Sequence, residues 1–207
     1  MFAYLTEERL EEIGRDFLRK LGLENQACPD VMTIITKIKH ADPNFKYRRV
    51  SDKDMPDTEG EWESQNHELR IRESVFVGMQ RGDPHCRFVV FHELSHYALG
   101  HEGLRNRIAD PKVREYSAAR VKHEEAEANR LAAILMAPEH LVQEGASVDE
   151  IASTFNLNPT TAILRKDEVD RTRRRRRGEL RPLPASIKEF LRQAREQGYP
   201  VQTNLDE

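Results

Sequence analysis

The segment Cys86–His101, CRFVVFHELSHYALGH, constrains the fold more than any other part of the chain. Asp83 and Pro84 ahead of it make a helix start, an Asx N-cap followed by Pro at the first helical position. Gly100 is placed to end the helix in the left-handed conformation that glycine tolerates. Between these points Phe88, Val89, Val90, Phe91, Leu94, Tyr97, Ala98 and Leu99 are apolar nearly all the way round, so the predicted helix lies in the core. Two imidazoles, His92 and His96, are embedded in it. At about 100° per residue they stand about 40° apart and one turn along the axis, close enough to face one point. Two neutral imidazoles so placed take two corners of a zinc tetrahedron, and a catalytic zinc takes three protein ligands and a water. Glu93 is rotated away from the pair, so it reaches the water rather than the metal and can accept its proton. H-E-x-x-H is a mechanism as well as a string.

The third ligand must come from elsewhere. The continuation H-E-x-x-H-x-x-G-x-x-H fails, because Gly100 and His101 each fall one position off the required places. His101 then reads as a helix-end residue favoured by the negative end of the helix dipole. The next apolar segment, HEEAEANRLAAILMAP (residues 123–138), holds a better candidate. Glu125 and Asn129 share one face, and Ala128, Ala132 and Ala133 leave a low surface for close helix packing. Glu125 would complete His-His-Glu, with Asn129 one turn on to support a liganding histidine. Glu124 and Glu127 fall on other faces and read as solvated charges. The donor set suits one Zn2+ per chain, and manganese or iron accept the same donors.

At these residues the chain resembles the ImmA/IrrE family of bacterial and phage metallopeptidases. The resemblance rests on HELSHYALGH followed by E-A-E-A-N-R-L-A-A-I-L-M-A-P (Glu125–Pro138). It extends over residues 1–170, with its strong motifs in 86–138. It implies a gluzincin-like site, with His92, His96 and Glu125 as zinc ligands and Glu93 as catalytic base. It also implies a substrate, a helix-turn-helix (Xre-like) repressor whose cleavage releases stress-response, prophage or mobile-element genes.

The 207 residues suffice for one domain with an adequate core plus a small appendage. The first twelve, MFAYLTEERLEE, lack the apolar run of a signal peptide, and no stretch reaches 18 uncharged apolar residues. A cytoplasmic location with no membrane partner is expected, and Cys28 and Cys86 are expected to be free thiols. Residues 171–181 hold seven Arg and one Glu, so the remainder is acidic within an overall charge of −3. An acidic body offers no broad nucleic-acid surface, which leaves the Arg run as the place for any such contact. Its plainer reading is a solvated helix end or linker.

In chain order, Thr6 caps a first helix with the stripe Leu10, Ile13, Phe17 and Leu21, and Gly22 follows its last turn. A second begins after Pro29-Asp30 and buries Val31, Ile34, Ile35 and Ile38. Phe45 and Tyr47 alternate with basic residues and mark a strand, residues 51–60 read as an acidic loop, and Trp62 as packing. Residues 67–78 read as one or two strands, one of them an edge that holds an extended substrate. Tyr97, Tyr116 and His123 are candidates to stabilise a tetrahedral oxyanion. Residues 147–165 resemble one helix-turn-helix unit, with Ala162 and Ile163 inward and Arg165 and Lys166 on its second helix. Acidic neighbours make that helix poor material for a DNA groove, so direct DNA binding is the lesser expectation. Ile187, Phe190 and Leu191 mark a short amphipathic helix before a polar tail.

The expected fold is α+β, a mostly helical zincin-like peptidase domain with a small β-sheet. The expected divisions are 1–140 for the peptidase domain, 141–177 for the helix-turn-helix-like segment, and 178–207 for linker, short helix and tail. Two other readings remain at this stage: a non-catalytic regulator that binds a repressor or DNA, and a partner in a toxin–antitoxin-like module.

Overall fold

Helix starts and stops fall where the local chemistry puts them. In the computed structural model, which describes residues 5–101, 111–179 and 183–199, α1 (Glu7–Lys20) starts at Thr6, whose side chain accepts the N–H of Arg9. Helix α2 (Val31–Ala41) starts at Asp30, which accepts the N–H of Thr33, and it buries Val31, Ile34, Ile35 and Ile38. The buried line of α1 runs Leu10, Gly14, Leu18, rotated slightly from the expected stripe, so Ile13 and Phe17 only flank it. Gly14 explains the rotation. A Cβ there would sit 2.8 Å from Ile134 Cγ2 and 3.3 Å from Leu131 Cδ1, so the bare backbone lets a neighbouring helix come close.

Three short strands follow: β1 (Lys46–Val50), β2 (Gly60–Glu63) and β3 (Glu68–Arg72), in the order β1-β3-β2. β1 pairs with β3 in parallel, Tyr47 opposite Leu69, and β2 pairs with it antiparallel, Trp62 opposite Leu69. The expectation of strand throughout residues 67–78 is corrected here. Strand stops at Arg72, and Glu73–Gln80 is helix α3, which buries Val75, Phe76 and Met79. β3 is also the central strand, so it cannot be the substrate-holding edge; the free edges belong to β1 and β2. Period-2 and short helical apolar patterns are hard to separate over eight residues, and here the helical one wins.

Helix α4 (Pro84–Leu99) is the predicted histidine helix. Asp83 caps it by accepting the N–H of Cys86, Pro84 opens it, and Gly100 closes it at φ 66°. Phe91 and Leu94 are fully buried, each worth about 1.5–3 kcal/mol of burial. α4 packs against α3, β2 and the long α5 (Pro111–Met136), and α1 lies against both α4 and α5. Ala128 and Ala132 are fully buried on α5, as the low-surface reading requires.

A single 3-10 turn (Glu139–Leu141) leads to α6 (Val148–Phe155), started by a reciprocal Ser147–Glu150 capping box. Asn156 ends α6 in the left-handed region and Asn158 caps α7 (Pro159–Arg176). Ile151, Phe155, Leu157 and Ala162 are buried, but Ile163, expected inward with Ala162, is half exposed. α8 (Ala185–Glu196) is the expected short amphipathic helix. The chain divides into compact units of residues 1–169 and 170–207. Architecture is therefore α+β and mostly helical, with a small three-stranded sheet among the described residues. Among them no helix is long and apolar enough to cross a membrane. Cys28 and Cys86 are free.

Candidate metal centre

α4 and α5 bring three donors from two helices to one point. His92 Nε2 and His96 Nε2 are 3.1 Å apart, with ring centroids at 4.8 Å. Glu125 on α5 completes the cluster, its Oε2 3.1 Å from His92 Nε2 and its Oε1 3.4 Å from His96 Nε2. Among the described residues these three form the one group of His, Cys, Asp or Glu whose donor atoms converge closely enough to hold a metal ion.

The spacing fits a tetrahedral ion. With metal–ligand bonds of about 2.0–2.2 Å, the edges of the tetrahedron are roughly 3.3–3.6 Å, within a few tenths of an ångström of the three separations here. Two imidazole lone pairs and a carboxylate turned towards each other at such distances repel, unless a proton or a cation lies among them. The electrostatics agree. Hydrogen bonding to His92 and then His96 holds Glu125 far below the usual carboxylate range. Burial opposes charge on His92, but Glu125 and Glu93 together outweigh it and raise that imidazole.

Each imidazole is held on its far side. His92 Nδ1 lies 3.0 Å from Asn129 Oδ1, so it donates there and leaves the Nε2 lone pair facing the cluster. Asn129 thus supports a cluster histidine, as its spacing from Glu125 suggested. His96 Nδ1 lies 2.9 Å from His101 Nδ1. The sequence reading missed this contact, because it placed His101 at a helix end near the dipole. Instead the Gly100 turn makes a full Schellman motif, with Gly100 N–H on Tyr97 O and His101 N–H on His96 O. That motif sets the residue after the glycine against the residue five positions earlier. Here both are histidines, so H-x-x-x-G-H at a helix end was the available signal.

Glu124 and Glu127 also depart from their expected solvated state, since both are buried. Glu124 accepts from Arg120 at 2.7 Å. Glu127 accepts the N–H of Leu5 at 3.0 Å and faces His101 Nε2 at 3.6 Å and His123 Nε2 at 3.3 Å. Burial, reinforced by His96, pushes the His101 imidazole below its ordinary range. Leu5, Leu99, His101, Arg120, His123 and Glu127 line a cavity of about 350 Å³.

Glu93 is apart from the donor set. Its Oε2 accepts the backbone N–H of Trp62 in β2 at 2.8 Å. Burial raises its pKa, opposed by the neighbouring His92 and His96. Of the oxyanion candidates, Tyr97 donates to Asp42 at 3.1 Å and packs edge-on against Trp62 and Phe45. His123 faces Glu127, and the Tyr116 side chain lies outside the described residues. In the helix-turn-helix-like segment, Arg165 is 1% exposed, donates to Ala137 O at 2.7 Å and pairs with Glu11 and Glu168. It is a structural cation with no face for a groove.

No curated protein shows significant similarity to the chain. A sequence model of the peptidase M78 family, described as the IrrE N-terminal-like domain, matches residues 49–162. That span is more than half of the chain and contains β2, β3, α4, Glu93 and all three converging donors. The chain belongs to the peptidase M78, IrrE N-terminal-like family of metal-dependent peptidases.

Proposed function

We propose that this chain is a zinc-dependent endopeptidase with His92, His96 and Glu125 as metal ligands and Glu93 as general base. One observation carries the reading: three lone-pair donors from α4 and α5 converge within 4.8 Å, and the half-buried carboxylate of Glu93 adjoins the two histidines on α4. One divalent cation held there supplies Lewis acidity, polarising a peptide carbonyl and acidifying a water. The residues of the chain do the rest. His92, fixed by Asn129, and His96, fixed on its far side, present neutral nitrogens. Glu93 takes the water's proton and returns it to the departing amine. The Trp62 N–H holds the carboxylate in the meantime.

The substrate proposed is a helix-turn-helix repressor whose cleavage frees stress-response, prophage or mobile-element genes, in keeping with the family. The cytoplasm is the compartment proposed, and two free cysteines suit its reducing conditions. Direct DNA binding by residues 159–165 has less support, because Arg165 is committed to Glu11, Glu168 and Ala137. The test is cleavage of the candidate repressor by wild type and Glu93→Gln. Loss of cleavage with metal retained supports the reading, and cleavage by Glu93→Gln overturns it.

A further inference from the structure

We propose that His101 and Glu127 are positioning residues that set the tautomer of His96 and so tune the affinity of the metal centre. The inference rests on the metal reading above and extends it beyond the ligands. The contact between His96 Nδ1 and His101 Nδ1, at 2.9 Å, holds one proton. Two arrangements are open to it. If His101 carries that proton, its Nε2 is a bare lone pair, and His96 must place its own proton on Nε2, against His92 and Glu125. If His96 carries it, His96 Nε2 is the free lone pair a metal requires, and His101 carries its proton on Nε2.

Glu127 decides between them. Its Oε2 faces His101 Nε2 at 3.6 Å, and both side chains are buried, at 9% and 8% exposure. A carboxylate opposite a lone pair is repulsive, and opposite an N–H attractive, and burial of both side chains strengthens either effect relative to bulk water. Glu127 is itself fixed by the N–H of Leu5 and by His123 Nε2 at 3.3 Å. The order of control runs from Glu127 to His101 Nε2–H, from His101 Nδ1 to His96 Nδ1–H, and so to a free His96 Nε2. His92 receives the same instruction directly from Asn129 Oδ1. The two imidazoles are therefore prepared by different devices, an amide for His92 and a histidine–carboxylate relay for His96. The relay depends on the Gly100 turn, which brings the chain back so that His101 meets His96.

The experiment measures Zn2+ affinity by competition with a chromophoric chelator, and the His96 tautomer by nitrogen NMR of the metal-free protein. The variants are His101→Ala, His101→Asn and Glu127→Gln. Asparagine places Oδ1 where histidine has Nδ1, so it restores the acceptor without the ring. Removing such a support costs about 10–100-fold in metal affinity. That loss is expected for His101→Ala, with recovery in His101→Asn, and the metal-free wild type should carry the His96 proton on Nδ1. Equal affinity in wild type and His101→Ala overturns the relay alone, as does a wild-type His96 protonated on Nε2, a readout that needs no variant to fold. Wild type that takes up no Zn2+ overturns the metal reading, and the relay with it.

Discussion

The Glu93 carboxylate accepts the backbone N–H of Trp62 at 2.8 Å, so the candidate base is seated on the edge strand β2 rather than on its own helix. Gly60, two residues earlier, makes room for it. A Cβ at that position would lie 2.9 Å from Glu93 Cγ and 3.0 Å from Val89 Cγ1.

Gly60→Ala should therefore push the Glu93 side chain out of its seat. Misplacing a reacting group by about 1 Å costs on the order of 10²-fold in rate, and overpacking adds about 1–3 kcal/mol of destabilisation. The expected result is a loss of repressor cleavage of that order, with metal content unchanged. Parallel metal and cleavage assays check it; full cleavage activity would show that Glu93 is not positioned by β2.

Arg165 is a second place where burial sets the outcome. Its guanidinium is paired with Glu11 and Glu168, and the Glu11 side chain is itself 11% exposed. Removing one partner of a buried ion pair strands the other charge and costs about 3–5 kcal/mol. Arg165→Ala should lower unfolding free energy in urea by that amount. A change below 1 kcal/mol would mean that the pair adds little to the core.

Tyr47 supplies a pH prediction away from the metal centre. Burial raises its phenol from 10.0 to about 12, and among the described residues no hydrogen-bond partner reaches its hydroxyl. The folded state holds this proton more tightly than the unfolded one. The contribution is thus complete below pH 10 and is lost as pH climbs towards about 12. Tyr47→Phe should flatten the fall of stability across that window, without loss at pH 7, because the buried hydroxyl goes with its desolvation cost. Urea midpoints at pH 7, 10 and 11 test it; parallel curves for the two proteins would contradict it.

Much of the site was legible because helix geometry is periodic. His92, His96, Glu93, Glu125 and Asn129 were placed by spacing on two helices, and caps at Asp83, Gly100 and Ser147 marked the boundaries. Contacts made outside a helical period were not legible. His101 reaches His96 through a turn, Glu127 is buried by Leu5 from across the sequence, and Trp62 meets Glu93 through its backbone, which carries no residue-type signal. Residues 73–78 misled because apolar residues in a short run satisfy both periods, and here they form the start of helix α3.

The central claim is that Glu125 joins His92 and His96 in binding a metal, and metal content per chain tests it most directly. Purified wild type should carry, or take up, about one zinc per chain, while Glu125→Ala, lacking one of the three protein donors a catalytic zinc takes, should retain little. Wild type that binds no metal, or Glu125→Ala that binds it as well as wild type, would contradict the account.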